Sequence, residues 1–181
     1  IIGSVVNLHQ TAVILRTQGQ LNEAGQLIQN ALAKAGLEHY SGLPAIGTLM
    51  VSRVELEYEK NQLSQAQATL LECAAQIQQS GYLDIQKSFA VLSARMLASH
   101  GNYQQAVLRL RESLESMQNA GMNLAIWEIR AYLAYYEYCL GNQDAALWMT
   151  EFNPPTDQNP GLTRGVALFL RTRLLLLAGR L

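Results

Sequence analysis

Apolar and polar positions along this chain follow the period of a helix, and the same arrangement returns about every 40 residues. Four segments align without gaps: Gly19-Gln-Leu-Asn-Glu-Ala24, Asn61-Gln-Leu-Ser-Gln-Ala66, Gly101-Asn-Tyr-Gln-Gln-Ala106 and Gly141-Asn-Gln-Asp-Ala-Ala146. Their opening residues lie 42, 40 and 40 positions apart, and a fifth copy opens at Gly179-Arg-Leu181. Each opens on Gly or Asn, the types that tolerate the left-handed conformation closing a helix C-terminus. Two residues on stand Leu21, Leu63, Tyr103, Gln143 and Leu181, mostly large and apolar. Five residues on is always alanine: Ala24, Ala66, Ala106 and Ala146. A small side chain there lets two antiparallel helices approach closely, where a larger one overpacks at a cost of about 1–3 kcal/mol.

The flanks of each turn read as helices. Seven residues before it stand Ala12, Val54, Ala94, Ala134 and Thr172, all small, and five before stand Ile14, Leu56, Met96, Tyr136 and Leu174, all large and apolar. After the first turn, Ala24, Leu27, Ile28, Ala31, Leu32 and Ala35 form a stripe at helical spacing, and Ala106, Leu110, Leu114 and Met117 repeat it. Gly36, Gly81 and Gly121 are read as ending these second helices, and the prolines between Asn153 and Pro160 cut the fourth one short. First helices are thus predicted near 4–18, 43–60, 84–100, 123–140 and 163–178, and second helices near 22–35, 64–80, 104–120 and 143–151. At about 1.5 Å per residue, most of these are rods of roughly 20–25 Å. The predicted fold is all-α, a solenoid of stacked antiparallel hairpins spanning 1–181 as one repeat domain. Its repeats fall at about 4–36, 43–81, 84–121 and 123–152, with an incomplete fifth at 163–181, and the segment is expected to be a piece of a larger chain.

Composition narrows the function classes. Hydrophobic residues make up 49% and charged residues 15% of the 181, enough apolar material for a folded core. Thirteen basic against fourteen acidic residues leave a net charge of −1, and no Lys/Arg block stands out, so nucleic acid contact by this segment is not expected. Cys73 and Cys139 lack the spacing of a zinc site and are read as small buried thiols in a reducing cytosol. No basic leader precedes Ile1, and the apolar run from Gly165 to Gly179 is short and carries Arg171 and Arg173, so neither a signal peptide nor a membrane span is expected and the chain is placed in the cytoplasm.

The turn sequence and its small-residue positions resemble the tetratricopeptide repeat, with Ala31, Cys73 and Ser113 at the small position twelve after the turn residue. The ordinary repeat is shorter by about one helical turn. The longer period is similar to the repeat region of MalT-like, LuxR-type bacterial transcription regulators. Gly42-Leu-Pro-Ala45 and the run Glu55-Leu-Glu-Tyr-Glu-Lys-Asn-Gln-Leu63 carry that likeness through Glu55, Tyr58, Glu59, Asn61 and Leu63. Glu57 and Lys60 depart from it, replacing an apolar residue and an aromatic. The resemblance implies a right-handed superhelix. It also implies a segment that senses a protein or small-molecule effector, within a protein whose other modules bind nucleotide and DNA. A tetratricopeptide scaffold unrelated to transcription is the alternative. This chain contains no P-loop sequence and no basic recognition helix, so neither activity is expected of these residues.

No catalytic chemistry is legible. His9, His39 and His100 have no His or Cys three or four residues away, no nucleophile-elbow sequence occurs, and no catalytic residue, metal or cofactor is expected. His100 precedes a turn glycine, where an imidazole can serve a helix C-terminus. Trp127 and Trp148 are read as core or groove wall. The family's geometry implies that first-helix positions thirteen, ten, six and three before the turn line a concave groove. The six-before set is Val13, Glu55, Arg95, Tyr135 and Arg173; the three-before set is Arg16, Tyr58, Ala98, Tyr138 and Leu176; His9, Ser88 and Glu128 join from the outer positions. Of these, His9, Glu55, Tyr58, Ser88, Arg95, Glu128, Tyr135, Tyr138 and Arg173 form the candidate groove for a protein or small ligand, with tyrosine faces supplying contact and charges fixing orientation. The helix 163–178 carries an apolar stripe through which the chain is expected either to self-associate or to shield the stripe by rearrangement.

Overall fold

The computed structural model describes residues 2–37, 44–79, 81–122, 126–145, 162–177 and 179. Eight helices are present among these: α1 Ile2–Thr17, α2 Leu21–Leu37, α3 Pro44–Glu59, α4 Leu63–Gln79, α5 Leu83–Ser99, α6 Tyr103–Asn119, α7 Ile126–Cys139 and α8 Leu162–Leu177. The first-helix series of the sequence pattern is α1, α3, α5, α7 and α8; α2, α4 and α6 are second helices. Residues 144–145 begin a further helical turn, and the rest of the predicted helix 143–151 lies outside the described residues, as do Ala146, Trp148 and His39. The chain divides into two compact units, Ile1–Leu92 and Ser93–Leu181, with the division falling inside α5.

The corners are built as the sequence requires. Gly19, Asn61, Gly101, Gly141 and Gly179 all hold positive φ, between 58° and 94°. At the first four, the amide of the turn residue donates to the carbonyl three back, and the next amide donates to the carbonyl five back. For example, Gly19 donates to Arg16 and Gln20 to Leu15, and all eight such bonds measure 2.8–3.0 Å. This Schellman arrangement satisfies the last carbonyls of each first helix and reverses the chain. Gly81 and Gly121 hold positive φ after α4 and α6 in the same way, but α2 runs through Gly36 to Leu37. The helix predicted to end at residue 35 thus runs two residues further, since glycine permits a helix end without forcing one.

Each alanine after a turn is the pinch point of its hairpin. Ala24, Ala66 and Ala106 are completely buried, and their amides donate to the carbonyls of Gln20, Gln62 and Asn102, closing the first turn of α2, α4 and α6. In the first unit, α3 packs on α1, α2 and α4, and Ala12, Ala24, Ile28 and Leu56 form one buried cluster. In this cluster Leu56, five before its turn, packs against the preceding hairpin. Met96, Tyr136 and Leu174 are buried at the same register, but Ile14 is 54% exposed, and among the described residues no helix precedes α1 to cover it. In the second unit, α7 packs on α6 and α8, and Ala131, Ala134, Ala145, Leu170 and Leu174 form the core with Trp127 and three tyrosines against it.

The two cysteines differ. Cys73 is buried and its thiol is pushed up to about 11 by that burial. Cys139 is exposed in the last turn of α7, which corrects the expectation that both are buried. His100 bonds through Nδ1 to the Met96 carbonyl at 2.8 Å and so serves the end of α5 as expected. No helix among the described residues is long and apolar enough to cross a membrane.

Candidate binding face on the first helices

In the first unit the site grows from two adjacent first helices. Arg16 sits in the last turn of α1, and Glu55 and Glu59 are one turn apart on α3. The Arg16 guanidinium donates Nη1–H to Glu55, and Nη2–H and Nε–H to the two oxygens of Glu59 at 2.8 and 3.2 Å. Burial alone would lower the Arg16 pKa, but the hydrogen bonds and charges of Glu59 and Glu55 outweigh it and raise it. One fork thus holds two carboxylates in fixed orientation, leaving a net negative charge on the group.

His9 lies two turns earlier on α1, with its Nδ1 2.7 Å from Ser52 Oγ on α3. Ser52 donates its single proton to the Thr48 carbonyl at 3.0 Å, so the imidazole is the donor to the hydroxyl. Burial holds His9 below the ordinary imidazole range; Glu55 pulls it up and Arg16 pushes it down. The folded chain therefore takes up fewer protons than the unfolded chain as pH falls through about 6.5, and stability falls with it. Thermal unfolding followed from about pH 8 to about pH 5 should show a shallower decline for His9→Gln than for the parent chain. Equal slopes would remove His9 from this account.

In the second unit the same register brings together Tyr135 and Tyr138 of α7 with Arg173 and the Leu177 carbonyl of α8. The Arg173 guanidinium stands 4.9 Å from the Tyr135 ring centroid, and Tyr138 donates its hydroxyl to Leu177 O at 3.0 Å. Burial raises the Tyr135 pKa first, with Cys139 adding to the rise and Arg173 opposing it. Tyr135 also packs on Tyr136, centroids 5.7 Å apart, so its ring is braced from the core. Tyr58 on α3, Ser88 and Arg95 on α5 and Glu128 on α7 are half-buried. Arg16 thus meets Glu55, and Tyr135 meets Arg173, across neighbouring first helices. They form ion-pair, cation–π and hydrogen-bond contacts whose outer edges remain open to solvent. Among the described residues no group of three or more His, Cys, Asp and Glu could hold a metal ion.

A second feature lies across α3. Glu57 follows Glu55 by two residues, about 200° around the helix, so it faces the other way. There a groove of about 640 Å³ opens between α2, α3 and the start of α4. Glu57 lines it at only 4% exposure; its Oε1 accepts from Arg53 Nε at 2.8 Å, and its buried Oε2 has no partner among the described residues. Lys60 Nζ donates to Asn22 Oδ1 at 3.2 Å on the opposite wall. A buried charged acceptor left unmatched costs about 1–3 kcal/mol or more. The signal for this groove was present in the sequence: Glu57 and Lys60 are the two positions that depart from the resembled pattern.

The hairpins, the positive-φ corners and the alanine pinch define a helical-repeat protein of the tetratricopeptide type, a scaffold for binding proteins or ligands. A family model described as the MalT-like TPR region matches residues 2–181. The chain belongs to that family. No curated protein matches it.

Proposed function

We propose that this chain is the effector- or partner-sensing segment of a bacterial MalT-like, LuxR-type transcription regulator, and that it binds a protein or small ligand through the face formed by its first helices. The observation that carries the reading is the match to the MalT-like TPR region across residues 2–181. Support for the face comes from Arg16 with Glu55 and Glu59, and from Tyr135 with Arg173, oriented charge and aromatic surface at equivalent registers. The coding frame on either side tests the regulator role: a P-loop sequence upstream and a helix-turn-helix downstream are expected, and flanks with neither would favour a scaffold unrelated to transcription. A thermal-shift screen of metabolites and peptides tests the face, because a ligand selective for the folded state raises its melting point. Arg95→Glu and Tyr135→Ala should each weaken the resulting ligand roughly tenfold or more. Ligands that bind both folded variants unchanged would remove the face from the proposal.

The same reading gives α8 a contact role. Phe169 and Leu176 are 63% and 61% exposed, and Leu168 and Leu177 are exposed as well. Apolar side chains open to water on one helix make a candidate contact surface. A second copy of the chain is the proposed occupant. Light scattering should show association that Phe169→Glu with Leu176→Lys abolishes; a parent chain that remains monomeric at high concentration would contradict it.

A further inference from the structure

We infer that the groove between α2, α3 and the start of α4 is a binding site for a small zwitterion of the α-amino-acid class. The inference does not rest on the regulator reading, because the groove lies on the other side of α3 from the face assigned above.

Glu57 is the acid of this groove. One oxygen is engaged by Arg53, and the other is buried at the groove with no donor among the described residues. It needs a donor, and a cationic ammonium is the strongest match for a carboxylate. Two cations stand on the same edge of α3. Arg53 is four residues before Glu57 and Lys60 three after, spacings that set neighbouring Cβ atoms about 5–6 Å apart. Among the described residues Arg53 uses only Nε in a hydrogen bond, and Lys60 spends one on Asn22. Their remaining donors suit a carboxylate held beside the ammonium, a pairing that a zwitterion brings on one carbon.

The rest of the groove agrees. Asn22, Gln26, Gln29, Gln62 and Gln65 line it, amides that both donate and accept. Gly25, inside α2, leaves room: a Cβ there would stand 3.1 Å from Leu56 Cδ2 and 3.4 Å from Lys60 Nζ. Glycine is otherwise unfavourable in mid-helix, and here it lets the lysine lie across α2. A volume of about 640 Å³ is within the range of small-molecule pockets. A simple anion fits poorly, because it would face the unpartnered Glu57 oxygen. A simple amine leaves Arg53 and Lys60 unanswered.

Isothermal titration of the chain with the proteinogenic amino acids tests the site, with methylamine, acetate and inorganic phosphate as partial probes. At least one amino acid should bind in the millimolar range or tighter, and each partial probe should bind roughly tenfold or more weakly than it. Glu57→Gln keeps the shape of the side chain, and Lys60→Met changes a residue at the end of α3; each should weaken the amino acid roughly tenfold or more while the melting transition persists. Three results would each overturn the inference: no amino acid binds, a partial probe binds as tightly as the best amino acid, or both folded variants retain full affinity.

Discussion

Truncating Leu110 to alanine should destabilise the second unit by about 2–5 kcal/mol, the range for large-to-small changes at sites that cannot collapse. Leu110 is completely buried on α6, on the same face as the buried Ala106, Val107 and Met117. Its loss removes apolar contact and leaves a cavity lined by helices whose spacing is fixed at the corners. Leu108, two residues earlier, is exposed, so Leu108→Ala should stay within about 0.5 kcal/mol. Urea unfolding reads both: the midpoint falls for Leu110→Ala at unchanged slope and barely moves for Leu108→Ala. Equal midpoints for the two variants would mean that α6 is rotated from the orientation described.

Enlarging the pinch is the second large effect. Ala106→Leu adds a branched side chain where the second helix leaves the turn and rests against its partner, and overpacking of this kind costs about 1–3 kcal/mol. The helix cannot retreat easily, because the turn at Gly101 is tied by the bonds Gly101 to Ala98 and Asn102 to Leu97. Gln105→Leu, at an exposed neighbouring position, should change stability by no more than about 0.5 kcal/mol. The difference between the two denaturation midpoints isolates the pinch from any general effect of a leucine on α6.

How far the chain could be read without coordinates differs by level. The corners were legible because left-handed backbone restricts residue choice to Gly or Asn, and a fully buried helix contact restricts it to alanine. Both restrictions leave a residue type at a fixed offset, as Gly101 and Ala106 show. Ile14 was less legible, since the position that Leu56 buries against the preceding hairpin has no such neighbour on α1 among the described residues. Cys139 was misjudged because its helical pattern extends to the last turn of α7, where the face it occupies is already outside the packing contact. On the candidate face, register predicted which residues share an edge of the first helices, yet the grasp of Glu59 by Arg16 depends on side-chain reach between two repeats. The groove beside Glu57 needed three helices in place before a buried carboxylate could be recognised as unmatched.

The claim on which the rest depends is that the alanine after each corner is sealed between helices. Single cysteines at positions 24, 66 and 106, in a chain lacking Cys73 and Cys139, report this directly through their rate of reaction with a maleimide under native conditions. Positions 23, 65 and 105, each exposed, provide the reference. The account predicts that cysteines replacing Ala24, Ala66 and Ala106 react roughly a hundredfold or more slowly than their neighbours, limited by opening of the hairpin. Comparable rates at the paired positions would contradict it.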